Sequence, residues 1–187
     1  MKRLSILLLC LLAGSSIQAQ YYNLTQLSFL IAEENESSPI RSNMAPSVVT
    51  INGFRYNEHF SLGLGVGMTA MSYVVFPVFA DFRFTLLKGD LSPVVALKGG
   101  YAFAKSKKEI FSKEYYNVTY KNSGGGVFNP EVGLKMKMSD RADFMLTLGY
   151  WYQHVASEMR EEYGYRVKHR RVSDLNRLSF SIGFLFK

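Results

Sequence analysis

The chain has 187 residues, of which 48% are hydrophobic, 20% charged and 14% aromatic, and its mean hydropathy is -0.01. That length holds one domain or barely two, and that hydropathy excludes a polytopic helical membrane protein. The single Cys excludes a disulfide scaffold and a Cys-based zinc site, and the formal net charge of +7 hints at acidic partners.

The first 19 residues read as a cleaved leader. Lys2 and Arg3 precede a short apolar run, Leu4 to Ala13, and Ser16, Gln18 and Ala19 suit a cleavage site after Ala19. The apolar run is shorter than the roughly 20 residues a membrane helix needs. Cys10 is poorly placed for lipidation, since Leu11 and Leu12 continue the apolar run beyond it. Cleavage lowers the net charge from +7 to +5 and leaves residues 20–187 without any Cys.

From there the dominant signal has period two, the repeat of a strand with two different faces. Less regular strands are expected near 24–32, 47–56 and 91–104. Over 60–69, Phe60, Leu62, Leu64, Val66 and Met68 alternate with Ser61, Gly63, Gly65, Gly67 and Thr69. Over 74–86, Val74, Phe76, Val78, Phe82 and Phe84 oppose Asp81, Arg83 and Thr85. Over 128–138, Phe128, Val132 and Leu134 oppose Asn129, Glu131, Lys135 and Lys137. Over 142–153, Phe144, Leu146 and Leu148 oppose Asp143, Thr147 and Gln153. Over 178–186, Leu178, Phe180, Ile182, Phe184 and Phe186 alternate with Ser179, Ser181, Gly183 and Leu185.

Eight strands result, each suited to the 9–11 residues of a tilted membrane strand. Their connections alternate in length. Tight polar turns at 56–59, 88–90 and 139–141 share one side with the termini. Longer loops are expected at 33–46, 105–124 and 155–174 on the other, with a short one near 70–73. That asymmetry is the pattern of outer-membrane barrels. Residues 60–80 carry no Asp, Glu, Lys or Arg, but their spaced Gly, Pro77 and β-branched content oppose a membrane helix. A soluble barrel would carry its charges on the outer face. Here they lie opposite a continuous apolar face. The expected fold is all-β, a single antiparallel up-and-down transmembrane β-barrel of eight strands.

The stretch Leu178 to Phe186, with Gly183 and its near-terminal aromatics, resembles the terminal strand signal of outer-membrane barrels, although Lys187 follows the last Phe. With the leader and the eight strands, the whole mature chain resembles the small eight-stranded outer-membrane proteins of the OmpX/OmpA-barrel type. It looks most like the "outer membrane protein beta-barrel domain" sequences of Gram-negative bacteria. This resemblance implies integral placement in the outer membrane. It says little of activity, because such barrels serve as adhesins, membrane stabilisers, narrow pores and lipid A enzymes.

Candidate chemistry falls in three places. Asp81, Arg83, Lys98, Glu131, Lys135, Lys137 and Asp143 all face the expected lumen, where unpaired charge is costly, so a salt-bridge network is expected there. A pore through it is the rival, opposed by how fully side chains fill an eight-stranded interior. At the outer end of the seventh strand, Tyr150, Trp151, Tyr152 and His154 suit an interfacial aromatic belt. PagL-type lipid A deacylases, to which the barrel type is similar, carry a His-x-Ser-Asn motif near this place. Here His154 and Ser157 are spaced His-x-x-Ser, and Glu158 follows, so a regular strand would put the two on opposite faces.

The third place is a pair of basic, Tyr-rich loops. One holds Lys105, Lys107, Lys108, Tyr115 and Tyr116, and the other Arg166, Lys168, Arg170 and Arg171. Such cations suit the phosphates of outer-membrane lipid or lipopolysaccharide, or acidic surface polymers. His59, His154 and His169 are scattered, so no metal or other cofactor is expected. Gly63-x-Gly65-x-Gly67 lies inside a strand and opens no helix, which removes a nucleotide-binding reading. Nucleic acid does not suit the compartment, and the expected state is a monomer.

Overall fold

The computed structural model describes the backbone of residues 19–32, 44–71, 73–104, 106–112, 116–163 and 165–187, and the side chains within them except at 105–123 and 155–173. The expected leader thus lies outside the described residues apart from Ala19. Ten strands follow: β1 (Gln20–Ile31), β2 (Met44–Arg55), β3 (Phe60–Ala70), β4 (Val74–Thr85), β5 (Leu91–Ala104), β6 (Ser106–Ser112), β7 (Tyr116–Ser123), β8 (Gly125–Lys137), β9 (Ala142–Tyr163) and β10 (Tyr165–Phe186).

Eight of these form the barrel wall. Each of β1 to β5 pairs antiparallel with the next, β5 pairs with β8, β8 with β9, β9 with β10, and β10 closes onto β1. The closure register sets Leu27 against Ile182 and Thr25 against Phe184. Closure removes every sheet edge from the wall, the condition for a sheet to cross hydrocarbon.

The alternation read from the sequence sets the two faces. Leu64, Val66, Phe76, Val132, Leu148 and Leu178 are all exposed on the outer surface, with Leu64 70% exposed. Gly63, Gly65, Asp81, Arg83, Ser179 and Ser181 face inwards and are buried. A soluble barrel would hide the first set and expose the charges; this one does the reverse. Residues 60–70 form β3 and residues 74–80 the first half of β4. Among the described residues no helix is long and apolar enough to cross a membrane.

Two buried apolar clusters fill much of the lumen. One, toward the tight turns, joins Tyr22, Leu24, Ile51, Phe79, Met145 and Leu185. The other, toward the opposite end, joins Leu30, Ala45, Val75, Ala102, Val127 and Trp151. Along β1, Gln26 and Ser28 separate Leu24 of the first cluster from Leu30 of the second. Small residues make the room: a Cβ on Gly65 would collide with the Phe79 ring that lies over it.

The expected loops at 105–124 and 155–174 are corrected by the structure. β6 and β7 form a hairpin whose β7 pairs with the outer half of β9, from Ser123↔Ala156 to Asn117↔Glu162. β9 and β10 stay in register up to Tyr163↔Tyr165. Loop composition misleads here because these segments lack an alternating apolar face; they are strands through attachment to the sheet, β7 pairing with β9 and the β9–β10 ladder continuing out of the wall.

Candidate functional site

The lumen geometry starts with spacing. Asp81 and Arg83 stand two apart on β4, so both side chains enter the lumen, and they meet as a bidentate pair. Arg83 Nε donates to Asp81 Oδ2 at 2.7 Å and Nη2 to Oδ1 at 3.1 Å. Lys98, opposite Asp81 in the β4–β5 register, turns instead to Glu131 of β8, with Nζ 2.5 Å from Oε1. All four side chains are buried.

Gln26 of β1 links the two pairs. Its Oε1 accepts from Lys98 Nζ at 2.8 Å and from Arg83 Nη2 at 3.3 Å. Asn129 Nδ2 and Thr147 Oγ1 donate to Glu131 at 3.0 and 3.3 Å. Buried charges thus have both counter-charges and hydrogen bonds, which lone burial would deny them. Gln26 was not among the residues singled out by sequence; its one signal was a polar side chain on the inward parity of an otherwise irregular strand.

The single network expected of the lumen charges is corrected. Asp143 pairs with Lys187 at 2.8 Å, at the tight-turn end of the barrel. The Lys135 side chain is partly buried and joins no hydrogen bond or ion pair among the described residues. Lys137 reaches Asp140 in the adjoining turn, at 2.9 Å. These residues share a face with Glu131, but the strand's length carries them out of reach of the central charges.

The outer end needs a second correction. Trp151 does not join an interfacial belt. It is 3% exposed, sits in the lumen cluster, and its Nε1 donates to Gln153 Oε1 at 3.2 Å. Strand alternation admits only every second residue to the outside, so Tyr150, Tyr152 and His154 face outwards without it. His154 Nδ1 stands 2.8 Å from Asp174 Oδ1, and Tyr152 donates its hydroxyl to the same oxygen at 2.9 Å. Above the apolar band that ends at Leu178, these bonds, that from His154 first, hold the Asp174 carboxyl below its ordinary range.

His154 and Ser157 pair with Asp174 and Arg171 in one unbroken β9–β10 ladder. No bulge shifts their parity, so the backbone keeps the two positions on opposite faces. The Ser157 side chain lies outside the described residues. Lys105 and Tyr115 lie outside them altogether. Lys107 and Lys108 fall in β6, Tyr116 in β7, and Arg166, Lys168, Arg170 and Arg171 in β10, with side chains that are not described. Among the described residues no three of His, Cys, Asp and Glu converge to hold a metal ion.

A further lumen residue escaped the sequence reading. Arg177, 3% exposed, has no hydrogen-bond partner at Nε or Nη1. Gln153, its diagonal neighbour across β9 and β10, leaves Nε2 unpartnered, and so does the Tyr73 hydroxyl. Its parity next to Ser179 was the available signal.

A closed barrel with an apolar outer band and a charge-bearing, plugged lumen is the architecture of a transmembrane β-barrel. The solved structures it is similar to are outer-membrane proteins of that architecture. Neisserial surface protein A is 11% identical, with a TM-score of 0.61 over 90% of this chain and 98% of that one. OprG from Pseudomonas aeruginosa is 10% identical, with a TM-score of 0.66 over 90% and 95%. Outer membrane protein W of E. coli is 8% identical, with a TM-score of 0.54 over 90% and 97%. No family model and no curated protein matches the sequence. At such identities the likeness is one of fold.

Proposed function

We propose that this chain is an integral outer-membrane β-barrel that works without catalysis, raising basic, Tyr-rich hairpins above the outer leaflet to contact the phosphates of lipopolysaccharide or acidic surface polymers. The carrying observation is the length of β9 and β10, 22 residues each. A membrane strand uses about 9–11 residues, so roughly half of each strand extends the barrel wall beyond the bilayer. Lys107, Lys108, Tyr116, Arg166, Lys168, Arg170 and Arg171 all fall in these extensions or in the hairpin paired to them.

The opposite parity of His154 and Ser157 weighs against a lipid hydrolase. The lumen plug, with Tyr22, Lys98, Gln26 and Glu131 fully buried, weighs against a pore. The test is binding of lipopolysaccharide to the barrel in nanodiscs. Neutralising Arg166, Lys168, Arg170 and Arg171 to Gln is expected to weaken binding and flatten its salt dependence. Unchanged binding in that variant sinks the reading.

A further inference from the structure

The outer surface carries one feature that a lipid-facing wall does not need. On the seam of β1 and β2, four polar side chains face outwards: Asn23 and Thr25 from β1, Thr50 and Asn52 from β2. They are bonded to one another. Asn23 Nδ2 donates to Asn52 Oδ1 at 2.9 Å and to Thr50 Oγ1 at 3.2 Å. The Thr25 and Thr50 hydroxyls stand 3.4 Å apart, and Tyr21 donates its hydroxyl to Asn52 Oδ1 at 2.5 Å.

Register places this island inside the apolar band. Leu27 and Val48 lie on its outer side and Phe54 on its tight-turn side. Laterally, Leu64 and Val66 of β3 oppose Asn52 and Thr50, and Phe184 of β10 opposes Thr25. All six of these apolar residues are exposed. Each two-residue step along a tilted strand climbs about 5 Å, so Thr25 stands about 10 Å above Tyr21 in a band about 25 Å tall.

Polar side chains at that depth cost free energy against lipid unless their hydrogen bonds are completed. The internal bonds leave a defined remainder. Both lone pairs of Asn52 Oδ1 are used, while Asn52 Nδ2 donates to nothing among the described residues. Asn23 Oδ1 receives only a long bond, 3.5 Å, from Thr25. The island therefore carries an unused donor and a weakly used acceptor side by side, and no charge.

We propose that this island is the contact between two copies of the chain within the membrane. Two copies insert the same way up, so their two-fold axis runs along the membrane normal and every residue meets others at its own depth. Asn52 and Asn23 are register partners, so on strands about 4.8 Å apart and tilted by about 40° their depths differ by only about 3 Å, within side-chain reach. Across the axis the free amide of Asn52 meets the carbonyl oxygen of Asn23 in the second copy, and the reciprocal bond forms with it. The Thr hydroxyls meet one step further out. Side-chain hydrogen bonds between small polar residues hold membrane segments together in this way. The inference replaces the monomer expected from sequence, and it rests on the barrel lying in a bilayer.

Cysteine crosslinking in outer membranes tests it, using the full chain expressed in a Gram-negative host with Cys10→Ala. Thr25→Cys is expected to give a disulfide-linked dimer under mild oxidation. Val132→Cys, exposed on the opposite wall, is expected to stay monomeric. Adding Thr50→Val and Asn52→Leu to Thr25→Cys is expected to cut the dimer about tenfold. Heat-modifiable gel mobility of every variant reports the folded membrane barrel separately, so failure of the bilayer reading is seen apart from failure of the dimer. Crosslinking of Thr25→Cys no stronger than that of Val132→Cys overturns the proposal. So does an adduct with a different membrane protein.

Discussion

Lys98 Nζ lies 2.5 Å from Glu131 Oε1 with both side chains almost completely buried, although the strand register sets Lys98 beside Asp81. Asp81 is occupied by the fork of Arg83, so Lys98 crosses to β8, and Gln26 ties the pairs together. Removing one member strands a charge. Lys98→Met is expected to lower the unfolding free energy in detergent by about 3–5 kcal/mol, because Glu131 is left uncompensated. Lys98→Met with Glu131→Leu is expected to recover most of it. Urea titrations of the four members of this cycle check both; a double variant as weak as the single would contradict the pairing.

Arg177 predicts the opposite sign. Its guanidinium is buried with two nitrogens unpartnered, and it forms no ion pair among the described residues. Arg177→Met keeps much of the volume and discards the desolvated charge. It is expected to raise stability by about 1–4 kcal/mol, read as a higher urea midpoint with an unchanged slope.

Trp151 is the chain's one Trp and points into the lumen. Its fluorescence is expected to resist quenching by lipids brominated on their acyl chains. Trp introduced at Leu148, 59% exposed on the outer face, in a Trp151→Phe background is expected to be quenched strongly. Equal quenching at the two positions would put Trp151 outside.

Gly65→Val tests how tightly the plug is packed. The added methyls meet the Phe79 ring, whose place in the first lumen cluster leaves little space. A loss of about 1–3 kcal/mol is expected, with Phe79→Ala in the same chain relieving the clash.

The Asp174 carboxyl, bonded by His154 and Tyr152, titrates below its ordinary range. A depressed folded-state pKa means the interaction stabilises above the unfolded value, about 3.9, and is lost as pH falls through the lower folded value. A 13C carboxyl titration is expected to show that low midpoint, and His154→Phe to move it up toward the ordinary value. An unmoved midpoint would mean His154 is not its partner.

The alternation of large apolar with small or polar residues was enough, by itself, to determine the eight strands of the wall, the barrel and which face met lipid, but not the β6–β7 hairpin or the outer halves of β9 and β10. The reason is local: side chains on a strand have period two, and a wall with water or protein on one side and hydrocarbon on the other admits one assignment. The inward parity of Asp81, Arg83, Lys98 and Glu131 was legible in the same way. Which of them would pair was not, because partners across a lumen depend on register and on strand tilt, neither of which composition carries. Gln26, Arg177 and Lys187 therefore came only with the closed barrel. Trp151 shows the same limit from the other side: its aromatic character suggested the interface, and its position in an unbroken ladder sent it inwards. The polar island of Asn23, Thr25, Thr50 and Asn52 likewise exists only once β1 and β2 are set side by side.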